Sequence, residues 1–421
     1  MDHFTYKNGV LHAEDIDLTQ LAGEVGTPFY CYSAATFARH YRVFDDALAG
    51  LEHKICFAVK ANSNIGVLAT LAHLGAGADV VSEGEIRLAL AAGIAPGDIV
   101  FSGVGKQPAE MRFALEQGIF QFNVESYPEL EALSREAAAL GKTAGIAVRV
   151  NPDVNPGTHA KISTGQKESK FGIPMEQALD VYRRAAELPG IRVQGVSVHI
   201  GSQLVTLEPF RHAFMRVRSL VEALRSAGHT VTTVDLGGGL GIPYDQQQGA
   251  PPLPVAYGQM VREVMSGIDA TLIFEPGRLI AGNAGILVTR VIYVKEALGQ
   301  IYVIVDAAMN DLLRPSLYDA YHEIVPVVQE AGQGRIVADI VGPVCETGDS
   351  FATAREIANV KPGDLLAFRS AGAYGAVMAS TYNARLLAPE VLVNGAQKTL
   401  VRSRPRYEEM IAAQRIPEWL S

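Results

Sequence analysis

The sequence predicts an α/β protein: a (β/α)8, TIM-like barrel over residues 27–279, followed by an all-β domain over 280–421. Three observations carry this expectation. Between about residue 50 and residue 275, eight short apolar runs alternate with segments rich in Ala, Leu and Glu, as parallel strands alternate with amphipathic helices. Polar and glycine residues gather just after those runs, where a barrel has its active mouth. Beyond Gly277 the runs become β-branched and follow one another without long helices.

The expected strands are Ile55–Val59, Asp79–Val81, Ile99–Phe101, Ile119–Phe122, Gly145–Val150, Val193–Val198, Thr232–Leu236 and Thr271–Phe274. The intervening stretches, such as Glu129–Ala137, combine strong helix formers with one apolar face. A doubly wound open sheet would alternate in the same way, so the count alone does not exclude it. Runs such as Gly285–Val294 and Ile301–Val305 open the β domain. Residues 1–26 find no place in the barrel count and are expected to join that domain.

Composition narrows the function. A chain of 421 residues is long for one domain. A net charge of -9 with no basic run argues against a nucleic-acid partner. Cys31, Cys56 and Cys345 are widely spaced. They offer neither a disulfide framework nor zinc spacing, so no metal is expected and a cytoplasmic location is. No basic, then apolar leader opens the chain, and no run reaches the ~18 apolar residues of a membrane span.

Lys60 ends the run Ile55-Cys56-Phe57-Ala58-Val59-Lys60. An ammonium leaving a buried strand is costly unless a partner or a covalent bond takes up its charge. Desolvation makes such an amine nucleophilic, which suits a Schiff base to pyridoxal phosphate; the plainer reading is a lysine that snorkels out. Gly237-Gly238-Gly239-Leu240-Gly241 follows the seventh run, and Glu275-Pro276-Gly277-Arg278 follows the eighth. Loops after strands seven and eight of a barrel frequently bind phosphate, and glycines let backbone N–H groups approach an anion. His199 ends the sixth run, where it could pack against a flat ring or simply be a hydrogen-bonded core residue. Glu275 could keep a pyridine nitrogen protonated, or pair with an arginine. In the β domain, Arg314 suits carboxylate recognition, Cys345-Glu346 is an unusual pair for a structural loop, and Tyr374 lies in Gly372-Ala373-Tyr374-Gly375.

Taken in order, these motifs resemble the diaminopimelate decarboxylase family of fold-type III pyridoxal phosphate enzymes, from about Thr27 to about Arg385. The resemblance rests on Phe57–Asn62, Gly77–Glu85, Phe122–Ser126, Arg149–Pro152, His199–Gln203, the triple glycine, Glu275–Arg278, Cys345–Asp349 and Ala373–Gly375. One departure is Ser82-Glu83-Gly84, where many relatives carry Ser-Gly-Gly; it touches no chemical role. The resemblance implies decarboxylation of meso-2,6-diaminopimelate to L-lysine, the last step of lysine biosynthesis. It implies that Lys60 holds the cofactor, that His199 stacks on its ring and that Glu275 faces the ring nitrogen. Ser202, Gly238, Gly239, Gly277, Arg278 and Tyr374 would surround the phosphate and nearby substrate. Arg278, Arg314 and Tyr318 would bind substrate carboxylates, with Tyr374 close by. Glu346 would take the distal ammonium and Cys345 would donate the final proton. A homodimer with shared active sites is implied too. The alternatives are an ornithine, arginine or carboxynorspermidine decarboxylase of the same fold, and a non-catalytic pyridoxal phosphate-binding protein. Glu346 and Arg314 favour a substrate with a distal carboxylate over those of the related decarboxylases, which commonly carry aspartate after the cysteine to hold a distal amine.

Overall fold

Each expected barrel run forms a strand: β1 His53–Ala58, β2 Gly77–Val80, β3 Ile99–Phe101, β4 Gln121–Val124, β5 Ala144–Asn151, β6 Ile191–Ser197, β7 Thr233–Asp235 and β8 Thr271–Phe274. Consecutive strands pair in parallel, and β8 pairs with β1. The ring is therefore closed, which excludes the open-sheet alternative. Closure also explains the apolar runs, since a strand covered on both faces has no reason to alternate; every residue of β5 is buried.

The computed structural model describes residues 2–155, 170–245, 250–330, 332 and 334–420. The chain divides into two units, Phe37–Ala281 and Met1–Thr36 with Gly282–Ser421. In the barrel unit, helix starts follow local chemistry. Ser82 accepts from the Glu85 amide ahead of Glu83–Ala91, and Ser126 from the Glu129 amide ahead of Tyr127–Ala139, each satisfying an amide with no partner in the helix. Phe210 and Phe274 pack edge-on against Tyr257, with ring centroids 5.2 Å and 6.2 Å away. The barrel interior is less apolar than its strands suggest. Gln121 donates to Asn123 (2.9 Å) and accepts from Thr233 Oγ1 (2.8 Å) and Gln194 (3.2 Å), all buried.

The other unit is built on a mixed sheet. The long strand Gly285–Ala297 pairs antiparallel with Gln300–Val305, with Leu365–Phe368 and with Phe29–Ser33. Phe29–Ser33 continues in parallel to Glu390–Asn394. Phe4–Lys7, Val10–Ala13 and Ile16–Asp17 form a small antiparallel sheet, and Phe4, Leu11, Leu18 and Leu21 share one core with Phe29, Ile286, Val288 and Val391.

Three expectations need correction. Residues 27–36 belong with the β unit rather than the barrel, because Phe29–Ser33 finds its edges on Gly285–Val288 and Glu390–Val393. That unit is not purely β, since it carries the short helices Leu18–Val25, Arg314–Tyr318 and Tyr407–Ala412. Val59, expected to close the first strand, instead opens a 3-10 turn, Val59–Ala61, which carries Lys60. Among the described residues, no helix is long and apolar enough to cross a membrane, and no cluster of three or more His, Cys, Asp or Glu could hold a metal.

Candidate active site

At the C-terminal end of β1, Lys60 Nζ donates to Asp79 Oδ2 at 2.5 Å. Asp79 lies on β2 and has no exposed surface. A carboxylate this deep in an apolar strand is stable as an anion only beside a cation. The charge on Lys60 is thus matched from the neighbouring strand, a partner that the apolar pattern around Asp79 conceals.

Next to this pair stands a second buried carboxyl group. Glu275 follows β8 and accepts from Ser102 Oγ and Asn123 Nδ2, both at 3.3 Å. It also hydrogen-bonds Asp235, at the end of β7. Burial, then the charges of Asp235 and Asp79, push Glu275 well above the ordinary carboxylate range. Burial raises Asp235 to about 6 against the lowering effect of its hydrogen bonds. Two buried carboxyls in contact cannot both ionise cheaply, so the pair shares a proton. Asp235 has further tasks: Oδ1 accepts from the Gly237 amide (2.9 Å) and Oδ2 from Asn123 Nδ2 (2.7 Å).

The glycine loop is a close fit around these groups. Gly237 and Gly239 have φ of +67° and +111°. A Cβ on Gly238 would lie 2.2 Å from the Glu275 carbonyl oxygen, and one on Gly239 would lie 2.3 Å from that of Gly201. The Gly238 amide donates to His199 Nδ1 at 3.2 Å. An amide only donates, so Nδ1 carries the lone pair and the ring proton sits on Nε2. Burial, then the charges of Arg149 and Lys60, hold His199 well below the usual histidine range. Arg149 is itself paired with Glu125 (2.8 Å) and reaches the His199 carbonyl (3.4 Å).

Arg278 opens the short helix Arg278–Ala281 after Gly277. Its Nη1 donates to Tyr244 Oη at 2.5 Å and its Nη2 to Ser202 Oγ at 3.3 Å. Lys60, His199, Ser202, the glycines, Glu275, Gly277 and Arg278 therefore all stand after strands of one closed ring. Asp79, Asp235 and Tyr244 join them without having been singled out in the sequence. For the first two, the overlooked signal was an acidic residue inside an otherwise apolar run.

The remaining candidates lie in the β unit. Arg314 is buried, and its Nη1 is 2.8 Å from His322 Nε2. Tyr318 ends the same helix and is half-buried. Cys345 and Glu346 are exposed. Their loop is braced by buried Asp349, which accepts from the Val344 amide (2.7 Å) and the Met309 amide (2.6 Å). Tyr382 Oη donates to Glu346 Oε2 at 2.7 Å. Tyr374 has φ of +56°, unusual for a side chain of its size.

Residues 34–282 match the family model described as "Pyridoxal-dependent decarboxylase, pyridoxal binding domain". The chain is 51% identical over 420 residues to the diaminopimelate decarboxylase of Zymomonas mobilis, covering 99% of each. It is 52% identical over 415 residues to that of Pseudomonas aeruginosa, covering 98% of this chain and 99% of that one. The crystal structure of the M. jannaschii diaminopimelate decarboxylase in complex with L-lysine superposes with a TM-score of 0.95 at 37% identity, covering 100% of this chain and 99% of that one.

The residues at the barrel mouth fit pyridoxal phosphate. An amine emerges beside a matched carboxylate, and a buried carboxyl pair can give up or share a proton at a ring nitrogen. Glycine is required at 238 and 239 because the Glu275 and Gly201 carbonyls pack against them, and a loop of glycines suits close approach by an anion.

Proposed function

The chain belongs to the diaminopimelate decarboxylases within the pyridoxal-dependent decarboxylases, and from that premise we infer that it converts meso-2,6-diaminopimelate to L-lysine and carbon dioxide. The observation that best supports this is the meeting of the Lys60–Asp79 pair with the proton-sharing Glu275–Asp235 pair at one barrel mouth. One C–C bond breaks and one C–H bond forms, so the site must bind a dianionic, dicationic substrate, stabilise an electron pair at carbon and deliver one proton.

Bound pyridoxal phosphate supplies the electron sink for that pair. Lys60 would hold it through its amine, with Asp79 fixing the amine's position. Glu275 would face the ring nitrogen. There the buried negative charge that raises its proton affinity would favour a protonated nitrogen beside it, so the carboxyl pair would hold a proton at that atom. His199 is suited to lie against the ring because burial and Arg149 keep it uncharged, and a neutral imidazole presents a flat surface without a competing charge. Ser202, Gly238, Gly239, Gly277, Arg278 and Tyr374 would receive the phosphate.

For the substrate, Arg278, Arg314 and Tyr318 would take carboxylates. Glu346, held at Oε2 by Tyr382, would take the distal ammonium. The Cys345 thiol would give its proton to the carbon that carbon dioxide leaves. A homodimer in which the Cys345–Glu346 loop of one copy serves the site of its partner completes the reading, in a cytoplasm that keeps the free cysteines reduced.

The test is a product assay on protein loaded with pyridoxal phosphate, run separately with meso-diaminopimelate, ornithine and arginine. Lysine and carbon dioxide from diaminopimelate alone is the expected result. Turnover of ornithine or arginine instead would overturn the substrate assignment while leaving Lys60 and the fold in place.

A further inference from the structure

Three arginines are buried among the described residues: Arg149, Arg278 and Arg314. Arg149 is anchored by the Glu125 carboxylate at 2.8 Å, an arrangement that neutralises its charge. Arg314 is gripped differently. Its Nη1 lies 2.8 Å from Nε2 of His322, a ring that is 1% exposed. The other ring nitrogen, Nδ1, lies 2.8 Å from the carbonyl oxygen of Arg369.

These two contacts fix the protonation of His322. A carbonyl oxygen only accepts, so Nδ1 carries the hydrogen. A guanidinium only donates, so Nε2 carries the lone pair. The ring is therefore neutral and locked in one tautomer, because a proton on Nε2 would point at the guanidinium hydrogens. The lock is built into the sheet. Ile324–Pro326 pairs antiparallel with Leu365–Phe368, Ile324 opposite Phe368, and the Arg369 amide donates to the Glu323 carbonyl at 2.8 Å. That register brings the Arg369 carbonyl to His322, two residues ahead of the strand. The chain reaches His322 from the Arg314–Tyr318 helix through Asp319, whose φ is +52°. This turn brings residues eight positions apart face to face.

A neutral acceptor orients a guanidinium without cancelling its charge, whereas a carboxylate in the same place would compete with any anionic ligand. We propose that His322 is the positioning residue for carboxylate recognition: its Nε2 lone pair orients Arg314 for the carboxylate that the product retains. The inference rests on the reading of Arg314 given under Proposed function, and it adds the device that sets Arg314's geometry.

The experiment compares two substitutions in the holoenzyme. His322→Asn keeps a donor for the Arg369 carbonyl and removes the acceptor for Arg314. His322→Gln can place its amide oxygen near the Nε2 position. Binding of L-lysine, which has the retained carboxylate, and of cadaverine, which lacks it, is measured by calorimetry. In the Asn variant, L-lysine affinity should fall by about tenfold or more, the scale of a lost hydrogen bond to a charged group, while cadaverine changes by less than about twofold. The Gln variant should stay within about threefold of the parent for both ligands, as retention of the acceptor requires. Equal weakening of both ligands in the Asn variant, or no weakening of either, overturns the proposal. Imidazole nitrogen shifts of unsubstituted protein provide a measurement that needs no variant: His322 must appear as the Nδ1–H tautomer, and an Nε2–H or doubly protonated ring refutes the proposal. If the parent enzyme forms no lysine from meso-diaminopimelate, the functional reading falls and takes this inference with it. If it does form lysine, an unchanged Asn variant removes the inference alone.

Discussion

Replacing Asp235 by asparagine should flatten the dependence of stability on pH in the protein without cofactor. In the folded state Asp235 is raised from 3.8 to about 6. Between those values the native protein binds more protons than the unfolded chain, so stability falls as pH rises. A shift of about two units corresponds to about 3 kcal/mol at roughly 1.4 kcal/mol per unit. That stability is fully present below about pH 4 and is lost as pH climbs through 6. An asparagine side chain cannot ionise, and the substitution also removes the charge that is the second-largest cause of the raised proton affinity of Glu275. Both effects reduce the slope.

The substitution has a fixed cost as well. The introduced asparagine can still accept from the Gly237 amide and offer its own amide to Glu275. That amide would then face Asn123 Nδ2, which now donates to Asp235 Oδ2 at 2.7 Å. Losing that bond costs about 1 kcal/mol at every pH, a vertical offset that leaves the slope untouched. Glu85, raised to about 7, and Asp311, raised to about 6, titrate over the same window. They remain in both proteins and cancel in the difference. Urea unfolding of the two apoproteins, at one protein concentration and at intervals from pH 4.5 to 8, gives the required curves. Curves that run parallel would refute the shared proton.

Gly238→Ala should strip the site of its cofactor. The new Cβ meets a backbone carbonyl at 2.2 Å, so the loop must shift by about 1 Å, and displacements of that size cost ~10²-fold in activity; titration of the visible absorbance with pyridoxal phosphate checks the accompanying loss of affinity. Lys106→Met should destabilise the barrel by about 3–5 kcal/mol. Buried Lys106 Nζ donates to Glu129 Oε1, the Gly103 carbonyl and the Asn123 carbonyl, each at 2.7 Å, and adding Glu129→Gln should recover part of the loss in a denaturation series. Cys345→Ala should slow lysine formation by about 10²-fold or more, the usual range for a lost general acid, with visible absorbance unchanged; near-normal turnover would remove the thiol from the reaction.

The barrel was legible because burial on both faces writes its strands as continuous apolar runs. Ile99–Phe101 and Thr271–Phe274 are bounded in the structure as the runs suggest. Membership of a sheet is less legible. Phe29–Ser33 is as apolar as a barrel strand, yet its partners are Gly285–Val288 and Glu390–Val393. No local period records a pairing with segments so far along the chain. The turn at Lys60 escaped notice for a related reason: Val59 continues the apolar run although the backbone has already left the strand. Lys60, His199 and Glu275 stood out because each is a polar residue closing an apolar run. His322 did not, because its importance lies in a bond between a helix start and a ring ahead of a strand.

The least legible part of the site is also the part that accounts for its electrostatics. Asp79, Asp235 and Glu275 put three carboxyl groups at one buried mouth, while Lys60 supplies one amine within hydrogen-bonding reach of Asp79. The charge of Asp79 is thereby matched. The other two carboxyls are in contact, and by retaining a proton they carry one negative charge between them rather than two. An apolar pair in the same place would be more stable, so the arrangement is explained by what occupies the mouth during catalysis rather than by folding. Beside a bound cofactor, Glu275 and Asp235 would hold a proton at the ring nitrogen, because the buried negative charge that raises their own proton affinity would also favour a cation next to them. The instability stored at Asp235 and Glu275 would then serve to keep that nitrogen protonated.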